Sequence, residues 1–190
     1  MSTQGNLYSI VPDQVIIIPD YTVSQDAQNT YGIVIDGISG GMTQGPISNG
    51  IPVTNFDIGL QNPSNTGTQA GGLVAGKPSF KNMLVYSPTS VASPNLAYYC
   101  SIAKPVSKAT LYCITTGTGG TKPTTYWQIE LQNAIVTSYQ SIGGATPTGP
   151  IDVYSLAYDQ ITWTYTPTSA TGQAGSAVTH GYTISSQVAS

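Results

Sequence analysis

The chain contains one histidine, His180, in a glycine-rich approach to its C-terminal end, with no nucleophile or orienting acid near it in sequence. A general base needs a proton within hydrogen-bond reach and a partner that holds its tautomer, so His180 reads as structural or merely exposed. The carboxylates Asp36, Asp57, Glu130, Asp152 and Asp159 fall singly on separate runs, and a glycosidase-like pair would require the fold to bring two of them together. Glu130 stands on the polar parity of its run, the place of a solvated group. GQAGSAV at 172–178 and the glycines around residue 70 lack the Lys-Ser/Thr ending and strand-to-helix setting of a phosphate loop. No Cys/His cluster has zinc spacing. The residues capable of chemistry therefore predict no enzyme, no cofactor and no metal.

Cys100 and Cys113 are the only cysteines. One lies on a predicted helix and the other on the strand that the helix leads into, so packing of the two could bring them within bonding range. Two buried free thiols are the alternative, because no signal peptide points to an oxidising destination.

The elements that must position these residues are strands. In IDVYSLAYDQITWTYTP (151–167) the apolar residues fall first on even positions (Tyr154, Leu156, Tyr158) and then on odd ones (Ile161, Trp163, Tyr165), the period of a half-buried strand with one change of phase. A phase change at Asp159-Gln160 predicts a β-bulge there; a tight hairpin is the alternative, though neither residue is the glycine such turns favour. The run 126–142 is the expected partner, with Trp127, Ile129, Leu131, Ile135 and Tyr139 on one parity and Gln128, Glu130, Gln132 and Gln140 on the other. Strands of this length are bent, shared between sheets or wrapped round a barrel.

Earlier in the chain, residues 1–28 form an arm holding one strand-like run, Gln14 to Ile18, between Pro12 and Pro19. Tyr31 to Ile38 is apolar on both parities, as in a strand buried on both faces. Residues 51–60 and 80–86 predict further strands, separated by a long loop of turn residues and small side chains from Gln61 to Pro78. Ser93-Pro94 supplies an N-cap hydroxyl followed by proline at the first helical position. The only predicted helix runs from there to about Ile102 and stops before Pro105. Residues 107–115 alternate again, and a closing strand is expected at 180–187. This order predicts a mainly β fold, a single barrel or barrel-like sandwich over residues 29–190 with one short lateral helix.

Composition narrows the function. The 190 residues include five Lys and no Arg, charged residues make up 7%, and the net charge is -3. Such a chain lacks the cations for a nucleic-acid surface or an anionic-membrane patch. Its 13 Tyr and 2 Trp set in alternating runs argue against disorder. A nearly uncharged exterior rich in hydroxyls and amides is expected where most of the surface meets other subunits or faces harsh extracellular conditions. No basic n-region precedes the short apolar run Val15 to Ile18, which cannot span a bilayer.

Several stretches together resemble the haemolysin-coregulated protein (Hcp) family, the tube subunit of bacterial type VI secretion. They are YGIVIDGI (31–38), GKPSF (76–80), SPNLAYYC (93–100), KATLYC (108–113), WQIELQNAIVTSYQSIGG (127–144) and YSLAYDQITWTYTP (154–167). The resemblance implies a β-barrel with one lateral helix, related in fold to phage tail-tube proteins. It also implies a homo-oligomeric, hexameric ring that stacks into a hollow tube, with sheath, spike and effector proteins as partners. Assembly would take place in the cytoplasm, followed by export without a Sec signal. The chain departs from typical members in its additional arm and its scarcity of Lys, Arg and Glu, which favours a specialised extracellular tube.

On that reading, the loop with Asn62, Thr66, Gly71, Gly72 and Gly76 is expected to contact the next ring. The β-branched, uncharged run Val15, Ile16, Ile17 and Ile18 is expected to add as a strand to a neighbouring subunit, with folding back on its own barrel as the alternative. A different class of function is a secreted β-sandwich that binds carbohydrate through Tyr21, Tyr98, Tyr99, Tyr139 and Trp163.

Overall fold

The computed structural model describes residues 29–43, 47–65, 74–115, 123–143, 149–168 and 174–189. The arm, with Val15, Ile16, Ile17, Ile18 and Tyr21, lies outside the described residues, as do Thr66, Gly71 and Gly72. The described elements are β1 (Asn29–Ile35), β2 (Ile51–Val53), β3 (Asn55–Asp57), β4 (Leu60–Gln61), β5 (Ser64–Asn65), β6 (Val74–Ala75), β7 (Ser79–Phe80), β8 (Met83–Pro88), α1 (Ser93–Ser101), β9 (Pro105–Thr115), β10 (Thr124–Ile142), β11 (Ile151–Ala157), β12 (Gln160–Tyr165), β13 (Val178–Thr183) and β14 (Val188–Ala189). The fold is mainly β with one short helix among the described residues. The run expected as one strand over 51–60 is divided into three, and the closing strand starts at Val178 and turns before β14.

β10, 19 residues long, is the spine. Along one edge it pairs with β9. Along the other it pairs with β12 in its first half and β11 in its second. From β9 the sheet continues to β1 and β2, and from β11 to β8 and β3. All of these pairings are antiparallel.

β2 and β3 are one segment joined at Thr54, whose N–H donates to the carbonyl of Tyr86 at 2.9 Å and whose hydroxyl reaches the same oxygen at 3.1 Å. The segment pairs with β1 through its first part and with β8 through its second, so the path β2–β1–β9–β10–β11–β8–β3 returns to its start. Closure leaves the barrel wall without an open end. β12, β13 and β14 extend from β10 as a separate leaf.

Residues facing into this wall form the main core, including Ile33, Ile35, Met83, Val85, Leu111, Leu131, Tyr154 and Leu156. Each large side chain buried here contributes about 1.5–3 kcal/mol relative to exposure. The opposite face of β8 and β11 holds a smaller cluster of Leu84, Tyr86 and Val153, so β11 is buried on both faces.

The phase change in 151–167 is present, but neither a bulge nor a hairpin produces it. Gln160 pairs with Gln132 and Ala157 with Ile135; two residues lie between the pairs on each strand, so none is gained or lost. β11 and β12 also run on in one direction along one edge of β10, which excludes the hairpin. Instead β10 exchanges faces at the same place. Ile129 and Leu131 are buried, Asn133 is exposed, and Ala134 and Val136 are buried. The expectation that Ile135 continues the parity of Leu131 into the core is therefore corrected, whereas Tyr139, beyond the register shift between Val136 and Ser138, pairs across from Tyr154 and packs against the core as expected. Asn133 takes φ 51, a left-handed conformation that asparagine tolerates better than most residues.

β9 follows suit, burying Val106 and then Ala109 and Leu111 on either side of exposed Ser107 and Lys108. At the end of β1, the Asp36 N–H donates to Lys108 at 2.9 Å, and the Ser107 hydroxyl donates to the Asp36 carboxylate at 2.6 Å. A crease thus crosses the sheet from Asp36 through Ser107 and Asn133 to Asp159, and every strand on it turns its apolar set over together. The register shifts lie elsewhere in β10, between Val136 and Ser138 against β11 and between Thr125 and Trp127 against β9.

Candidate assembly site

The stretch expected as a long loop carries, in its described residues, the two short antiparallel ladders of a hairpin. Leu60 and Gln61 pair with Phe80 and Ser79, and Ser64 and Asn65 pair with Ala75 and Val74. Between the ladders the Gly76 N–H donates to the Pro63 carbonyl at 2.9 Å. A Cβ at Gly76 would lie 2.4 Å from that oxygen, so only glycine permits this approach. Asn62 is exposed beside it.

Aromatic stacking fixes the base of the hairpin. Phe80 stacks on Tyr182 of β13 with ring centres 5.0 Å apart and on Trp163 of β12 at 6.5 Å, a favoured range for aromatic pairs. The next residue, Lys81, donates its N–H to Gly59 at 2.9 Å and accepts at its carbonyl from the Tyr158 hydroxyl at 3.0 Å. Burial pushes the Tyr158 phenol up to about 12, so it remains a neutral donor at physiological pH.

A buried carboxylate pins the lateral helix. Asp152 of β11 is 1% exposed and accepts at Oδ1 from the Thr89 hydroxyl at 3.2 Å and the Tyr139 hydroxyl at 3.1 Å. Its Oδ2 accepts from the Ser93 hydroxyl. A buried charge requires such donors, and this demand overrides the expected capping role of Ser93. The N-cap is Ala92, with no side-chain cap bond, while the Ser93 oxygen accepts the Ser90 N–H at 2.8 Å. Burial, and then the nearby Asp152 carboxylate, raise the pKa of Tyr139.

At the other end of α1, the Tyr99 hydroxyl donates to Gly37 at 3.2 Å. Gly37 has φ +82, and a Cβ there would meet that hydroxyl at 2.6 Å. Leu96 and Tyr99 face the core, whereas Val91, Tyr98 and Ile102 are exposed. These three, with Leu60 on β4 and Tyr165, Val178 and Val188 on the leaf, are the large apolar side chains left exposed among the described residues.

No other candidate chemistry converges here. His180 is exposed and pairs across from Trp163. The Asp159 carboxylate accepts the N–H and hydroxyl of Ser185, both at 3.0 Å, and Glu130 accepts from Gln132 at 2.8 Å. Asp57 is exposed on β3. Among the described residues, no group of three or more His, Cys, Asp or Glu is placed to hold a metal, and no helix is long and apolar enough to cross a membrane. Cys100 and Cys113 are free thiols, and burial pushes the Cys113 thiol up to about 12, which makes it unreactive. The carbohydrate-binding alternative is not favoured: of its aromatics, Tyr99 is buried in the core, Trp163 is stacked on Phe80, and Tyr139 is tied to Asp152.

The described residues thus form a closed β-barrel with a pinned lateral helix on a nearly uncharged chain. The family model described as type VI secretion system effector, Hcp, matches residues 33–165, and the chain belongs to the Hcp family. Among solved structures, a type six secretion system protein is similar with a TM-score of 0.77 at 22% identity, covering 85% of this chain and 99% of that one. Hcp1 from Salmonella typhimurium is similar with a TM-score of 0.67 at 20% identity, covering 85% and 99%. The Hcp1 protein from E. coli EAEC 042 has a TM-score of 0.64 at 19% identity, covering 83% and 99%. A search of curated protein sequences finds no match.

Proposed function

We propose that this chain is the subunit of a hollow tube, built from hexameric rings stacked end to end, in a type VI secretion apparatus or a specialised extracellular tube derived from one. The family match over residues 33–165 carries this reading, and the closed barrel with its exposed apolar side chains supports it. The hairpin at 60–80 contacts the next ring, since stacking at its base gives it a defined direction. Residues 15–18 add as a strand to a neighbouring subunit and lock rings together. Sheath, spike and effector proteins are the partners, and the tube leaves the cell through the apparatus it forms. The subunit is structural, with no catalytic role. Negative-stain imaging of the purified protein tests the reading: rings or tubes with a central hole are expected, and featureless monomers at assembly concentrations would reject it.

A further inference from the structure

All five cations of the chain are lysines, and three of them are followed directly by proline: Lys77-Pro78, Lys104-Pro105 and Lys122-Pro123. A trypsin-like protease needs a Lys or Arg side chain in its specificity pocket and a following residue whose nitrogen can leave as an amine. Proline lacks the N–H, fixes φ, and its ring restricts the residue before it, so a Lys-Pro bond does not reach the attack geometry. With 13 prolines among 190 residues, chance would place fewer than one after five lysines, so the coincidence calls for a physical account.

The fold protects the other two bonds. Lys108 lies inside β9, where it pairs with Gln132 and its carbonyl accepts from Asp36 at 2.9 Å. Lys81 is exposed in a turn, but its carbonyl, the group a protease serine would attack, accepts from Tyr158 at 3.0 Å. The residue beyond the bond, Asn82, donates from its side chain to Thr137 at 3.2 Å. Both sides of the bond are therefore held to the barrel. By contrast, Lys77 lies exposed outside the strands, where the following proline protects it; Lys104 is exposed too, but besides its proline it has its N–H on the Tyr99 carbonyl at 3.0 Å and its ammonium over the Tyr99 ring.

We infer that this subunit is built to stay intact among trypsin-like serine proteases, by a division of labour in which proline guards Lys77, Lys104 and Lys122 and the fold guards Lys81 and Lys108. The inference concerns the environment in which the protein works and does not depend on its forming a tube.

The test is limited digestion of the full-length protein with trypsin, read by mass spectrometry. The native protein is expected to resist. Heat-unfolded protein should give three fragments, cut only after Lys81 and Lys108. Pro78→Ala should open the bond after Lys77 and speed cleavage at least about tenfold in a chain that is still folded. A matched pair covers a folding failure of that variant: Ser186→Lys, exposed in the turn before β14 and followed by Gln187, should be cut, and Asn62→Lys, exposed and followed by Pro63, should not. Rapid cutting of the folded native protein after Lys81 or Lys108 would overturn the inference. So would equal resistance of Pro78→Ala and Ser186→Lys, since shielding would then come from the fold alone.

Discussion

The N–H of Asp159 donates to the carbonyl of Gln132 at 3.1 Å, at the point where both strands turn their apolar side chains to the other face. Asp159 then hands the crease to the leaf, its own carbonyl accepting the Ile184 N–H at 2.8 Å. Because neighbouring strands change phase on one line, the barrel core and the leaf are both packed without breaking the ladder. The same line brings Tyr158 to the foot of the hairpin, so the bend of the sheet and the aim of the hairpin are mechanically linked.

Asn133 is the residue on that line where backbone conformation is most exposed to substitution. At φ 51 a β-branched side chain is strained, so Asn133→Val should cost about 1–2 kcal/mol, while Asn133→Gly should be near neutral. Urea unfolding of the two variants checks the difference. Equal stability would mean that the crease does not depend on the left-handed residue.

Much of the architecture is legible in the sequence because alternation reports burial directly. Trp127, Ile129 and Leu131 against Gln128 and Glu130 mark the first half of β10, and the phase change near Asp159 is visible as such. The matching change at Asn133 was hidden because Ile135 continues the odd parity and Tyr139 returns to the core face beyond the register shift that follows Val136, while the residues that enter the core between them, Ala134 and Val136, are small. The hairpin was hidden for another reason: its ladders are two residues long and made partly of Ser and Asn, too short for any period to show. Nor does local sequence reveal that the Ser93 hydroxyl is claimed by a carboxylate 59 residues along the chain.

That long-range bond gives a second prediction. Asp152→Ala leaves the buried Ser93 hydroxyl and the half-buried Tyr139 hydroxyl without this acceptor, and an orphaned buried donor costs about 1–3 kcal/mol, while the exposed Thr89 hydroxyl still reaches the Pro150 carbonyl at 3.1 Å. Asp152→Asn keeps an oxygen for them and should lose less. Denaturant midpoints with unchanged slopes should therefore rank native above Asn above Ala; an Ala variant as stable as the native protein would show that the latch is not energetically important.

Stability should fall in alkali from a defined point. Thiols and phenols ordinarily ionise near 9.0 and 10.0, whereas burial raises Cys113 and Tyr158 to about 12. Their pKa values are raised on folding, so the stabilisation is complete below the unfolded values and is lost as pH rises toward the folded ones. The melting temperature, followed by circular dichroism, should be level up to about pH 9 and decline between there and pH 12. Tyr158→Phe should melt lower at neutral pH, having lost its bond to Lys81, and decline less steeply between about pH 10 and 12. Parallel curves would remove Tyr158 from the account.

Residues 1–28 are proposed to lock the assembly rather than to complete the barrel. A β-branched, uncharged segment such as Val15 to Ile18 gains most by main-chain pairing with an available strand edge. Deleting residues 1–28 should leave the barrel folded by circular dichroism, while tubes become short or dissociate on dilution. Unchanged tube length and dilution stability would assign the segment to its own subunit.

Phe80 connects the hairpin to the rest of the molecule, and its removal should separate ring formation from ring stacking. The ring is stacked between the hairpin base and the leaf, and the pairing of Leu60 with Phe80 is the first step of the ladder above it. Phe80→Ala should cost about 2 kcal/mol in unfolding, less than a fully buried phenylalanine would, because the side chain is only half-buried. The larger effect should be on assembly: with its base unstacked, the hairpin loses its fixed direction and pays more entropy to dock on the next ring. Rings should then persist in negative stain while tubes are lost, and shortening the segment between Asn62 and Gly76 should give the same result without the loss of stability. Tubes of normal length in both variants would place the ring-to-ring contact elsewhere on the barrel.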